Sequence, residues 1–408
     1  MKVLQLCLRS PYPPVDGGTI AMYNMSMALK KSGAEVKILA FNTKKHFVDP
    51  SKMPESFVHD FQPELVYLDA TVKILPALIS LVAGSSYNMS RFNTKLFRET
   101  LEQLLDREEF DIIQLESLYM TPYLETIRKK SKATVILRSH NVEFLIWQRL
   151  ALSEKNIFRK WYLDILSKQL KKYETTISNQ LDGIVALTEE DKKLYDQMNC
   201  KVPMVVLPIG VDTEKYKVHA DDSQIKIVHL GSMDYLPNIE GVNWFLENIY
   251  TGLVIASPSV RIYLAGKNMP DEIFSMANDN LKVDGRIDDA KSYLLDKQVM
   301  IVPLLSGGGM RVKIIEGMAM GKTIISTAVG AEGIKYIHGK NILIADTPQE
   351  FINAIISCIN NPEMAKAIGR EARLLAETIY ENKIIGTDMI KFYHSISDKK
   401  SSPVRQTV

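Results

Sequence analysis

Runs of apolar residues just long enough for buried strands alternate along this chain with stretches whose apolar positions return every three or four residues, the spacing of a helix face. Residues 3–8 form the first such run. The turn Pro13-Pro14-Val15-Asp16-Gly17-Gly18 follows, residues 19–31 carry helical periodicity, Gly33 closes the helix, and residues 36–41 are apolar again. This is a strand–helix–strand unit. Further strands are expected at 112–115, 134–137, 183–187 and 205–207, separated by helical stretches such as 158–178, so the first half reads as a doubly wound α/β domain.

The pattern restarts at residues 225–230, where a strand again runs into a glycine turn and a helix, 239–249, with Asn238 placed to cap it. Strands at 260–265, 299–303, 323–326 and 342–344 complete a second α/β domain. The segment Leu207-Pro208-Ile209-Gly210-Val211-Asp212 is suited to a hinge between domains 1–207 and 208–377, which would close across a cleft. A helix from about residue 378 is expected to pack back on the first domain, and the polar tail 398–408 to be disordered.

Composition narrows the function classes. With 408 residues, 46% hydrophobic and 24% charged, the chain is ordinary globular material for two domains. Fifty Lys and Arg against 48 Asp and Glu leave a formal charge of +2, too little for a dedicated nucleic-acid binder, although residues 1–205 are mildly basic. Cys7, Cys200 and Cys358 lie far apart without a C-x-x-C pair, giving neither a disulfide framework nor a zinc site and fitting a reducing cytoplasm. Residues 1–8 are too short for a signal-peptide core. The longest apolar stretch, 74–83, is ten residues, whereas a spanning helix needs about 20. Peripheral contact with the inner face of a membrane through residues 72–83, which include Lys73, is set against a buried helix there.

Several familiar sites are missing. No G-x-G-x-x-G follows a strand, no D-x-D triplet is present to hold a cation against a diphosphate, and the seven histidines lack ligand spacing, so no metal or other cofactor is expected. Gly317-Met318-Ala319-Met320-Gly321-Lys322-Thr323 imitates a phosphate-binding loop but has three residues between its glycines instead of four, and it ends a helix; Gly321 reads as a helix C-cap and Lys322 as a cation near a helix C-terminus. The informative stretch lies just before it. A strand delivers the chain into Ser306-Gly307-Gly308-Gly309-Met310, where backbone can approach a ligand closely, and the next helix offers unpaired N–H groups. Arg311 and Lys313 stand in its first turn, where the helix dipole disfavours cations, so a negative ligand such as a diphosphate would offset the repulsion. Glu316, one turn further, could accept two hydrogen bonds from a vicinal diol, the alternative being a solvated partner of Lys313.

On these residues the chain resembles family four of the retaining glycosyltransferases, enzymes of the two-domain GT-B fold with Rossmann-like domains. Glu316-Gly317-Met318-Ala319-Met320-Gly321 is similar to the second part of the family signature, E-A-M-A-x-G, while the signature's first glutamate, eight positions earlier, falls on Gly308. A subgroup reading G-x-x-x-K-x-x-E-A-M-A-M-G is closer and includes Lys313; Gly231-Ser232-Met233-Asp234-Tyr235-Leu236-Pro237-Asn238 and Arg138-Ser139-His140-Asn141-Val142-Glu143 resemble the same subgroup. The resemblance implies transfer of a sugar from a nucleotide-diphosphate sugar to a saccharide or lipid-linked hydroxyl acceptor. It implies catalytic roles for Arg311, Lys313 and His140, and donor binding by Gly17, Gly18, Gly231, Gly307, Gly308, Gly309, Met310 and Glu316. Glu116, at the same strand edge as His140, is an acceptor-side candidate or else a cap or salt-bridge partner. Two other readings stay open: a nucleotide-sugar epimerase on the same scaffold, and a non-catalytic nucleotide-sugar-binding module, the latter because Gly308 replaces glutamate.

Overall fold

A computed structural model describes residues 1–71, 87–218 and 224–401. The membrane-contact stretch 72–83 and residues 402–408 of the expected tail lie outside the described residues. The chain divides into two units, Met1–Gly210 joined by the C-terminal residues from Asn382, and Val211–Glu381.

In the first unit, β1 (Lys2–Cys7), β2 (Glu35–Thr43), β3 (Glu64–Leu68), β4 (Ile112–Glu116), β5 (Thr134–Ser139), β6 (Gly183–Ala186) and β7 (Met204–Val206) form a parallel sheet in the order β3-β2-β1-β4-β5-β6-β7. Side chains alternate across it: Leu4 and Leu6 of β1 enter the core on one face, Val3 and Cys7 the core on the other. With both faces covered, the central strands read as continuous apolar runs, which is why they were visible in the sequence.

In the second unit, β8 (Lys226–Leu230), β9 (Arg261–Ala265), β10 (Leu281–Gly285), β11 (Val299–Val302), β12 (Thr323–Ser326) and β13 (Leu343–Ile344) form a second parallel sheet, β10-β9-β8-β11-β12-β13. The strand order reverses beside β1 in one sheet and beside β8 in the other, and ligands of doubly wound folds bind past the strand ends at such a reversal. Two strands escaped the sequence reading, β3 and β10. Both sit at sheet edges, where one side is solvated and polar residues such as Lys282 and Asp284 interrupt the apolar run.

Some local expectations need correction. The helix after β1 spans Gly17–Lys31, so Gly17 and Gly18 belong to its first turn, because Asp16 caps it by accepting from the Gly18 and Thr19 N–H groups at 3.1 Å each. Asn238 is not a helix cap: the helix spans Leu236–Phe245 with Pro237 in its first turn. The C-terminal helix Asn382–Ser401 runs past residue 398, where the tail was expected to begin. No helix among the described residues is long and apolar enough to cross a membrane.

That C-terminal helix returns to the first unit and packs on Gly17–Lys31. Its Ile385, Met389, Tyr393 and Ile396 join the core around Met22, Met25 and Leu29, and the buried Tyr393 hydroxyl donates to the buried Gln114 Oε1 of β4. Tyr393→Phe should leave that carbonyl oxygen unpaired and destabilise the protein by about 1–3 kcal/mol. A fall in the thermal unfolding midpoint with unchanged far-ultraviolet circular dichroism would show it.

Candidate functional site

In the second unit the chain leaves β8 at Gly231 and β11 at Pro303, on the two sides of the strand-order reversal. Gly307 has φ +106° and Gly309 φ +77°, so the loop needs residues without a Cβ to turn where it does. Arg311 is the residue just before the helix Val312–Ala319, not in its first turn as the sequence suggested. Its guanidinium folds back over the loop, Nη1 donating to the carbonyls of Gly308 and Gly309. Nε and Nη2 are buried and have no hydrogen-bond partner. Two guanidinium nitrogens held without acceptors beside a glycine loop are groups that an anion could satisfy.

Lys313 lies next to it. Its Nζ donates to Asn238 Oδ1 at 3.0 Å, and a Cβ at Gly231 would stand 2.8 Å from that nitrogen, so a larger residue there would displace the pair. Burial, and then the charge of Arg311, lower the Lys313 pKa to about 7. A bound anion would reverse that shift. His229 of β8 is buried and held neutral, pushed down to about 3 by burial and by Lys313, with its Nδ1 on the Ile301 carbonyl at 3.1 Å.

Glu316 is half-buried on the same helix and makes no ion pair with Lys313 among the described residues. Its Oε1 accepts from the Tyr216 hydroxyl at 2.6 Å, and Lys291 Nζ sits 4.2 Å from the centre of the Tyr216 ring. Burial raises the Glu316 pKa, with Tyr216 and Lys291 opposing. The side chain of Met310 is buried. Lys322 is buried as well, but its Nζ binds the carbonyls of Leu294 and Lys297 at the end of a different helix, so it serves structure.

In the first unit Glu116 ends β4 and His140 follows β5. Arg138 Nη1 donates to Glu116 Oε2 at 3.0 Å, His140 Nε2 lies 2.7 Å from the same oxygen, and Gln5 and Gln114 donate to Oε1. The carboxylate is fully enclosed, which makes Glu116 a salt-bridge partner that orients His140. Burial works against its charge, yet Arg138 and His140 hold its pKa below the ordinary value. Since Nε2–H must donate to the carboxylate, the neutral ring keeps its lone pair on Nδ1. Gly18 is engaged too: its N–H serves Asp16, to which Arg9 donates from both Nη1 and Nη2.

Sequence reasoning missed Tyr216, His229, Arg9 and the Gln5–Gln114–Tyr393 scaffold. Arg138 and Asn238 lie inside the two segments that resemble the glycosyltransferase subgroup, and Asn238 was otherwise expected only as a helix cap.

Behind His140, the buried Glu174 accepts from the N–H groups of Glu143 and Phe144 at 3.2 and 3.1 Å and from the Tyr195 hydroxyl at 3.0 Å, fixing the start of the helix Glu143–Ser153. Burial, and then the nearby Glu174, push Glu143 up to about 8 from an ordinary 4.5. The unfolded chain therefore holds fewer protons between these pH values, and stability falls as pH rises through the window. Glu143→Gln should raise the thermal midpoint at pH 8, with the gain fading toward pH 4.5. Melting curves across that range check it.

The sequence was compared with known proteins. The description Glycosyltransferase Family 4 matches residues 15–215, and Glycosyl transferases group 1 matches residues 224–361. An uncharacterised 44.6 kDa protein of the Klebsiella pneumoniae cps region is 21% identical over 406 residues, 96% of this chain and 99% of its own. An uncharacterised glycosyltransferase of Methanocaldococcus jannaschii is 32% identical over 114 residues, 27% of this chain and 32% of its own. Among solved structures, sucrose-phosphate synthase from Thermosynechococcus elongatus has a TM-score of 0.71 at 15% identity, covering 98% of this chain and all of that one. Anabaena HepE in complex with UDP has a TM-score of 0.66 at 15% identity, covering 97% and 100%. With two parallel sheets wound as in these structures and with both family descriptions matched in tandem, the chain belongs to glycosyltransferase family 4 and is a glycosyltransferase of the GT-B fold.

Proposed function

We propose that this glycosyltransferase moves a hexosyl group, with retention of configuration and without a metal ion, from a nucleotide-diphosphate sugar to a saccharide or lipid-linked hydroxyl. The product would be a cell-surface polysaccharide or glycolipid. The observation that carries the reading is Arg311, whose Nε and Nη2 are buried without acceptors beside Gly307–Gly309 and next to Lys313. HepE has been solved with UDP and with UDP-glucose, which supports a nucleotide-sugar donor. The Klebsiella relative, named for a cps region, supports a role in polysaccharide synthesis.

In this reading the sugar's bond to the diphosphate breaks while the acceptor oxygen bonds to the same carbon, and the acceptor's proton passes to the departing phosphate. Arg311 and Lys313 stabilise the charge that builds on the diphosphate. Lys313, lowered to about 7 in the free protein, takes up a proton when the anion arrives. Glu316 holds ribose hydroxyls through Oε2, with Oε1 anchored by Tyr216. His140, fixed by Glu116, offers Nδ1 to a substrate hydroxyl. No protein nucleophile is required.

Incubation with a panel of nucleotide sugars and acceptors should release nucleoside diphosphate; interconversion of the sugar without release would instead support an epimerase. Arg311→Ala and Lys313→Ala should each lower kcat about a hundredfold, the loss of roughly 3 kcal/mol of transition-state stabilisation. Glu316→Ala should raise the donor KM more than it lowers kcat, because ribose is held alike in ground and transition states. Steady-state kinetics with folded variants distinguish these roles, and unchanged rates in all three would remove the site assignment.

Metal independence has its own check. The sequence has no D-x-D triplet, and no three His, Cys, Asp or Glu side chains group as metal ligands among the described residues. Transfer measured in excess EDTA should match the untreated rate; loss restored by magnesium or manganese would overturn this part of the reading.

A further inference from the structure

The helices Glu143–Ser153 and Ile157–Ser178 pack side by side as a hairpin, joined by Glu154, Lys155 and Asn156. Its inner end is ordinary protein interior, with Phe144, Leu166 and Leu170 buried. Its tip is the reverse. Leu152 is 71% exposed, Ile157 74%, Phe158 81% and Trp161 61%, and residues 155–161 are all exposed. Phe158 is the most exposed aromatic side chain among the described residues. Leaving so much apolar surface in water at one place is costly and marks a docking surface.

The tip is also built. Asn156 caps the second helix by accepting from the N–H groups of Phe158 and Arg159 at 3.1 Å each, and Glu154 accepts from the Asn156 N–H at 2.9 Å. These bonds hold Ile157, Phe158 and Trp161 on the first turns of a helix, so the apolar residues project from a defined support.

The charges identify the occupant. Residues 149–161 carry Arg149, Lys155, Arg159 and Lys160 against a single carboxylate, Glu154, which lies 3.5 Å from Arg159. A second copy docked on this face by a twofold axis would set cations against cations. A bilayer with anionic headgroups accepts both features: Trp and Phe enter the headgroup boundary while Lys and Arg meet the lipid phosphates. We propose that this hairpin tip seats the enzyme on an anionic membrane surface, with Ile157, Phe158 and Trp161 inserted and Lys155, Arg159 and Lys160 on the headgroups.

Seating uses none of the residues assigned to sugar transfer, so the two readings fail separately. The test is cosedimentation of the full chain with vesicles of phosphatidylcholine alone and of phosphatidylcholine mixed with phosphatidylglycerol. The wild type should bind the mixed vesicles, release them as salt is raised, and ignore the neutral ones. The double variant F158S/W161S should abolish binding. Each cation is worth about a fivefold change in partitioning, so K155Q/R159Q/K160Q should lower it about a hundredfold. Both variants should bind donor nucleotide and turn over a soluble acceptor like the wild type. No wild-type binding to anionic vesicles at low salt, or equal binding by F158S/W161S, would overturn the proposal. So would a concentration-dependent dimer in sedimentation velocity that F158S/W161S dissolves, which would assign the face to a second copy.

Discussion

In a sheet whose strands are all parallel, every strand ends at the same edge, and that constraint sets where chemistry can be placed in this protein. The loops after β1, β4 and β5 gather at one edge of the first sheet, and those after β8 and β11 at one edge of the second. At the strand-order reversal the connections diverge to opposite faces and leave a crevice. Residues distant in sequence, such as Glu116 and His140, or Gly231 and Lys313, become neighbours for this reason.

The two edges handle buried cations in opposite ways. Arg138 is fully buried, but the ionised Glu116 faces it at 3.0 Å, and the pair becomes a fixed support for His140. Removing either partner would strand a charge in the interior. Each arginine has a buried Nε and Nη2 without an acceptor, but Arg311 has only the backbone carbonyls of Gly308 and Gly309 for company and no carboxylate facing it. Its neighbour Lys313 is lowered to about 7 by the same crowding and burial. An arrangement so short of negative charge is relieved by an anionic ligand, whereas the first unit's network is already neutralised by its own carboxylate. The chain thus separates a pair of buried cations without a carboxylate from a cation neutralised beside a held ring.

Support for the second arrangement comes from far along the chain. The C-terminal helix supplies Tyr393 to Gln114, Gln114 and Gln5 both donate to Glu116, and Ser26 donates to Gln5 at 2.6 Å. These bonds pair both oxygens of the buried Glu116 carboxylate. The last helix is therefore part of what holds His140.

How much of this was legible beforehand follows from the range of each interaction. Buried parallel strands are continuous apolar runs, so β1, β4, β5, β8, β11 and β12 could be read directly, as could the glycine loop at 307–309 with the cations after it. Strands β3 and β10 could not, because polar residues such as Glu64, Lys282 and Asp284 interrupt their apolar runs. The sequence alone also placed His140 and Glu116 at strand ends and Glu316 on the helix after the glycine loop. Only the tertiary structure decided that Glu116 is enclosed, that Tyr216 holds Glu316, and that Asn238 serves Lys313 instead of capping a helix. Apart from Gln114, those facts depend on partners between 22 and 111 positions away. Periodicity and spacing report local geometry, whereas the partner that satisfies a buried charge is chosen by the packing of the whole unit.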